Sequence, residues 1–132
     1  MCAARSVGWL ANGGQLQRIA GAADAGVDEI QTKGGEALAL PGDVAVKAEV
    51  LALLNAAGAA FGPIGGTINT AGFLDPARPL AEIGHARWQR IFAITPTGSF
   101  LAAREAVRRM LRSGQGGVTV NMWSMAAQLW GS

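Results

Sequence analysis

Three short motifs, each following a short apolar run, contain residues whose side chains could do chemistry. They are Gly42-Asp43-Val44, Asn69-Thr70-Ala71-Gly72 and Asn121-Met122-Trp123-Ser124. The carboxylate of Asp43 can accept hydrogen bonds, and the hydroxyl of Ser124 can both donate and accept them. Serine alone can orient a carbonyl group, but it cannot serve as the acid that protonates one. Residues of these types can hold a polar ligand by hydrogen bonds.

Strand and helix patterns alternate along the chain and place each motif at the end of a strand. Strands are predicted at Glu36–Leu40, Gly66–Asn69 and Val118–Met122, with a weaker one at Val7–Leu10, and helices at Gln15–Lys33, Val46–Phe61 and Trp88–Arg112. The alternation predicts an α/β fold with a parallel sheet. In such folds, ligands bind at the carboxyl ends of the strands.

The third predicted helix contains a proline. Apolar residues recur at helical spacing from Trp88 to Phe92, but Pro96 has no amide hydrogen to donate to the carbonyl of Phe92. The proline ring also moves Thr95 away from helical angles. A regular helix would lose roughly 3 kcal/mol at this point. We therefore expect a kink or a break at Thr95–Thr97.

The order and spacing of the motifs between Gly34 and Ser124 resemble the short-chain dehydrogenase/reductase family, in particular its bacterial sugar dehydrogenase and 3-oxoacyl reductase-like members. The resemblance implies a partial Rossmann-like, doubly wound parallel sheet in one domain over residues 1–132. This sheet would contain about the second to fifth strands of the family, with the first strand missing. The resemblance also implies NAD(P)-dependent oxidoreduction between alcohol and carbonyl groups.

The same resemblance assigns residues to the site. Ser124 takes the position of the serine that lies beside the reacting carbonyl, and Thr95 replaces the asparagine of the catalytic tetrad. The residues that the resemblance places near the NAD(P) cofactor are Asp43, Val44, Asn69, Ala71 and Gly72.

Several of these residues also have a structural interpretation. Ser124 can simply end a strand, and Asp43 can cap the helix that follows it. Ala71 and Gly72 can be small because the turn packs closely. The sequence alone leaves these alternatives open.

Two family motifs are absent from the 132 residues. The glycine-rich loop T-G-x-x-x-G-x-G is missing, since Gly8, Gly13, Gly14 and Gly21 lack its spacing, and there is no tyrosine for the motif Tyr-x-x-x-Lys. Trp123 stands where the family prefers a small residue. Without a phenol proton donor and a phosphate loop, we expect the chain to be inactive alone. One hypothesis is an oxidoreductase-derived chain that binds NAD(P) or acts once another polypeptide supplies the missing parts; the other is a non-catalytic oligomerising or binding module.

The missing strand affects the expected topology. In the doubly wound order 3-2-1-4-5, the first strand lies between the second and the fourth. Without it, the strands around Val7, Leu38, Ile68 and Val120 form two separate pairs with exposed edges that favour pairing with another chain. We expect a homo-oligomer, formed through this edge or through the helix at residues 88–112, which the resemblance implies as a dimer surface.

Composition and charge limit the remaining classes of protein. The 132 residues, 50% hydrophobic and 15% charged, fit one globular domain, and the net charge of +2 gives no strong field for nucleic acid or a membrane surface. Arg104, Arg108 and Arg112 recur at helical spacing, which is typical of a solvated face paired with Glu105. Cys2 is the single cysteine, which excludes an internal disulfide or a cysteine-cluster metal site and favours the cytoplasm.

Overall fold

Strands and helices alternate along the chain, as the sequence predicts. The structure, a computed structural model, describes residues 5–10, 16–72 and 79–122. In chain order its elements are β1 (Arg5–Leu10), α1 (Leu16–Thr32), β2 (Glu36–Pro41), α2 (Lys47–Phe61), β3 (Gly66–Asn69), a 3-10 turn (Leu80–Glu82), α3 (His85–Phe92), a π-helical segment (Ala93–Gly98), α4 (Ser99–Ser113) and β4 (Val118–Asn121). The predicted Rossmann-like α/β fold is confirmed.

The four described strands form two parallel pairs. β1 pairs with β2, with Val7 opposite Leu38, and β3 pairs with β4, with Ile68 opposite Val120. Within the described ranges, no hydrogen-bond ladder joins one pair to the other. The prediction of two separate pairs is therefore confirmed. Each pair is parallel, so its strands are connected by helical crossovers rather than by tight turns.

The core lies between α2, the turn that precedes it and the helices that follow β3. On α2, apolar residues at i, i+4 and i+7 share one face, and Val50, Leu54 and Ala57 are buried there. The buried apolar side chains in the described part of the chain are Val44, Val50, Leu54, Ala57, Ile94, Ala106 and Met110. Full burial of one valine or leucine side chain contributes about 1.5–3 kcal/mol, so the packing of α2 on α4 is a main source of stability.

The distortion predicted at Thr95–Thr97 is present as a π-helical segment rather than a break. The helix continues from α3 through Ala93–Gly98 into α4, with Pro96 inside the π segment. In a π turn, each amide pairs with the carbonyl five residues before it. Pro96 has no amide hydrogen to donate to the carbonyl of Phe92. In the π turn this carbonyl therefore accepts its hydrogen bond from the amide of Thr97. The extra residue in this turn lets the helix contain a proline and remain continuous.

A glycine ends the long helix and turns the chain towards β4. Gly114 has a left-handed backbone, with φ of 68°, and its amide bonds to the carbonyl of Leu111 at 3.3 Å. Glycine is favoured at this position because it has no Cβ to clash in the left-handed region.

The connection between β3 and α3 contains the 3-10 turn at Leu80–Glu82. Residues 73–78 of this connection lie outside the described ranges. Among the described helices, none combines the length and the hydropathy needed to cross a membrane.

Candidate functional site

Asp43 lies just beyond the end of β2, and two hydrogen bonds hold its carboxylate. Oδ1 accepts a hydrogen bond from the amide of Ala45 at 2.9 Å, and Oδ2 accepts one from Nη2 of Arg90 at 2.7 Å. The Asp43 amide donates to Oε2 of Glu49, in the first turn of α2, at 2.6 Å. Because α2 begins at Lys47 and no side chain caps it, the interpretation of Asp43 as the helix cap is wrong. Its carboxylate closes the turn that leads into the helix.

Arg90 is a candidate residue that the sequence pattern did not identify. It lies in α3, 47 residues after Asp43. The side chain of Arg90 is 35% exposed and that of Asp43 is 18% exposed, so salt screens this pair less than a fully exposed one. Nothing in the local sequence distinguishes Arg90 from an ordinary cation on a helix surface. The pair is visible only in the fold.

Val44 packs directly against the π segment. The residue is 2% exposed. A Cβ atom added to Gly98 would lie 2.6 Å from Cγ2 of Val44 and 3.0 Å from its Cβ, so this approach requires glycine. Val44 is thus part of the core and exposes almost no surface that a ligand could contact.

Asn69, the last residue of β3, is the centre of a hydrogen-bond network. Its Oδ1 accepts the amide of Ala71 at 3.1 Å, and its Nδ2 donates to Oγ of Ser99 at 2.6 Å. A longer contact of 3.4 Å joins Nδ2 to Oδ1 of Asn121, at the end of β4. The network fixes the turn before Gly72, which is exposed. Ser99 is a second residue that sequence reasoning missed.

One helical stretch supports both parts of the site. Arg90 and Gly98 contact the residues after β2, whereas Ser99 contacts the end of β3. All three belong to the stretch that runs from α3 through the π segment into α4. The structure thus connects Asp43 and Asn69, each of which lies at or just beyond the end of a strand, through a shared helix.

The resemblance places Ser124 and Thr95 at the catalytic positions, and the structure describes only Thr95. Ser124 and Trp123 lie outside the described residues. Thr95 lies in the π segment and is half-buried. In the part of the chain that the structure describes, no group of three His, Cys, Asp or Glu side chains could hold a metal ion. The described groups can bind a polar ligand through a carboxylate, an amide side chain and main-chain atoms.

A second charged cluster lies on α4. Glu105 is 5% exposed, and its Oε1 accepts Nη2 of Arg104 at 2.9 Å and Nη1 of Arg108 at 3.0 Å. Burial alone raises the pKa of Glu105, but the hydrogen bond from Arg104 and the charge of Arg108 outweigh burial and lower the pKa. The predicted pairing of the arginine stripe with Glu105 is confirmed for these two arginines.

Comparison with protein families gives one match that covers most of the chain. A family model described as short chain dehydrogenase matches residues 11–131. A "Short-chain type dehydrogenase/reductase" of Picea abies is 39% identical over 69% of the chain. "Glucose 1-dehydrogenase 2" of Bacillus subtilis is 30% identical over 81% of the chain.

A solved structure shares the fold. A short-chain type dehydrogenase/reductase from Mycobacterium ulcerans matches 93% of the chain with a TM-score of 0.76 and 25% sequence identity. The match covers 43% of that protein. The chain likewise spans 34% of the Picea abies relative and 42% of the Bacillus subtilis relative, so it corresponds to less than half of each of these proteins.

Proposed function

Because the chain belongs to the short-chain dehydrogenase/reductase family, we propose that it binds an NAD(P) dinucleotide at the carboxyl ends of its strands. The observation that carries this proposal is the Asp43 carboxylate, which Ala45 and Arg90 hold in place. A carboxylate has about four lone-pair sites. Two are used here, so two are left for the exocyclic amine of adenine. The small residues of the turn at Asn69–Gly72 leave room for the rest of the ligand.

Titration with NADH, followed by nicotinamide fluorescence, tests this binding. We expect saturation, and at least about tenfold weaker binding by Asp43→Asn, because hydrogen bonds to charged groups contribute about 1.5–3 kcal/mol. Asp28→Asn is the matched control, since Asp28 is an exposed carboxylate in α1. A lack of saturable binding up to millimolar concentration, or equal weakening by both variants, would overturn the proposal.

Catalysis by the chain alone is not part of the proposed function. A bound cofactor would supply the hydride chemistry of the family, which interconverts alcohols and carbonyl compounds. The 132 residues contain no tyrosine and no T-G-x-x-x-G-x-G motif, so residues outside them would have to supply the proton donor and the phosphate loop. Ser124 would orient a carbonyl group without protonating it. Cofactor-dependent reduction of a ketone by the purified chain would contradict this expectation.

Self-association is a second candidate function, which a separate observation favours. α4 exposes three large apolar side chains, Phe100, Val107 and Leu111. An exposed apolar surface on a helix is typical of a protein contact, and a symmetric dimer would cover the same surface on both copies. We propose a homo-oligomer in which α4 contributes to the interface.

The location of the chain in the cell stays a prediction from composition. A single cysteine, Cys2, is typical of proteins in a reducing compartment such as the cytoplasm. Fractionation of the producing cells, with detection of the chain in each fraction, would test this prediction.

A further inference from the structure

Arg90 lies next to the carboxylate that the proposed function assigns to adenine. We infer that Arg90 is a positioning residue that holds the Asp43 carboxylate towards the exocyclic amine of the nucleotide base. The inference rests on the proposed nucleotide binding and adds to it the residue that sets its base preference.

The contacts of the Asp43 carboxylate support this role. One oxygen accepts the Ala45 amide and the other accepts Nη2 of Arg90, so each oxygen has a separate anchor and the group cannot rotate freely about its last bond. Arginine suits this task because its planar guanidinium holds a fixed direction, whereas lysine presents a flexible point charge. A carboxylate fixed in this way loses less conformational entropy when it binds a ligand.

The π segment sets the position of Arg90 along the helix. Arg90 and Gly98 are eight residues apart, and both contact the two residues that follow Gly42, one through an ion pair and one through packing on Val44. Two α-helical turns span about 7.2 residues, and a π turn adds about one more residue. Eight residues therefore complete almost two turns in this stretch, which brings Arg90 and Gly98 to the same face. The helix thus holds the Asp43 segment at two points.

Base discrimination provides a measurement that a purely structural role would not change. Hypoxanthine has a carbonyl oxygen where adenine has the exocyclic amine, so a carboxylate at this position accepts a hydrogen bond from adenine and repels hypoxanthine. The ratio of the dissociation constants for reduced nicotinamide hypoxanthine dinucleotide and NADH reports on this contact. General loosening of the fold would weaken both ligands equally and leave the ratio unchanged.

The experiment compares this ratio in the wild-type chain, Arg90→Gln and Arg90→Lys. We expect about a tenfold preference for NADH in the wild type, a ratio near one in Arg90→Gln, and an intermediate ratio in Arg90→Lys. Arg112→Gln is the matched control, because Arg112 is an exposed cation near the end of α4, and we expect it to keep the wild-type ratio. If Arg90→Gln loses its helical circular dichroism, Arg90→Lys provides the comparison.

The outcomes separate this inference from the proposed function. If the wild type binds neither dinucleotide, the proposed function fails and the inference fails with it. If the wild type prefers NADH and both Arg90 variants keep the full ratio, nucleotide binding stands and the role of Arg90 is wrong. If the wild type binds the two dinucleotides equally, Asp43 does not contact the amine and the inference is also overturned.

Discussion

At the scale of single residues, Glu105 is an acid whose pKa is lowered inside the fold. Burial raises its pKa, but the hydrogen bond from Arg104 and the charge of Arg108 lower it below the ordinary value of 4.5. A carboxylate with a lowered folded pKa stabilises the protein above its unfolded pKa, and this contribution is lost as the pH falls through the folded pKa.

We expect Glu105→Gln to lower the unfolding temperature at neutral pH, and we expect the difference from the wild type to shrink as the pH is lowered from about 7 to about 3. Thermal unfolding followed by circular dichroism over this range measures the difference. Glu29→Gln is the control, since Glu29 pairs with Lys33 on the exposed surface of α1 and such pairs contribute little. A constant difference across the pH range would contradict the assigned pKa shift.

The contact between Gly98 and Val44 makes a second prediction at this scale. Gly98→Ala puts a methyl group 2.6 Å from Cγ2 of Val44, and overpacking of this kind costs about 1–3 kcal/mol. Gly58→Ala in α2, where no atom beyond the adjoining helix backbone lies within 4 Å of the added carbon, should instead stabilise the protein by about 0.5–1 kcal/mol. Urea unfolding measures both effects. In the Gly98→Ala background, Val44→Ala should restore part of the lost free energy of unfolding, because it removes the methyl group that clashes. If the effects of the two substitutions simply add, the two side chains are not in steric conflict.

At the scale of secondary structure, the π segment determines how much Pro96 costs. In the interior of an α-helix, proline is about 3 kcal/mol less favourable than alanine. Here the π turn already provides the Phe92 carbonyl with a donor, so we expect Pro96→Ala to change the free energy of unfolding by less than about 1 kcal/mol. Ala102→Pro, in the regular part of α4, is the control and should cost about 3 kcal/mol. If Pro96→Ala instead stabilises the protein by about 3 kcal/mol, the proline strains the π segment.

The sequence predicts most element boundaries to within a few residues because glycine and proline mark them. Gly62-Pro63 follows α2, and Gly66–Asn69 is a strand over its predicted length. The π segment could not be predicted in detail, because Pro96 indicates a distortion without showing how the backbone bonds are rearranged. The uncertain strand near Val7 is also present, since β1 pairs with β2 along its whole length despite Gly8.

The candidate site could be predicted only in part, for a related reason. The sequence identifies Asp43 and Asn69 because their motifs resemble those of the family. Their partners Arg90 and Ser99 lie 47 and 30 residues away in the sequence, and which helix residues reach the strand ends depends on the register that the π turn sets. No local pattern carries that information.

At the scale of the whole molecule, the exposed face of α4 determines the expected oligomeric state. Leu111 is 75% exposed, and Val107 is also exposed on this helix. We expect Leu111→Glu to weaken self-association at least about tenfold, because a charge in an apolar contact loses its hydration without gaining a partner. Leu80→Glu is the control, since Leu80 is 80% exposed but lies on the 3-10 turn. Light scattering over a range of concentrations measures the mass, and a stable monomer of the wild-type chain at micromolar concentration would contradict the proposal.

The division of the described strands into two pairs also has a consequence for cooperativity. One unit consists of β1, α1 and β2, and the other contains α2, α4, β3 and β4. No backbone ladder couples the units in the described part of the chain, and Asp43 and Val44, in the turn that joins β2 to α2, contact Arg90 of α3 and Gly98 of the π segment and so anchor this turn on the second unit. Loss of these two contacts would let the amino-terminal unit open as a partial unfolding event while the carboxy-terminal unit stays protected from hydrogen exchange. The residues that we propose to position the ligand would then also govern how the two units unfold together.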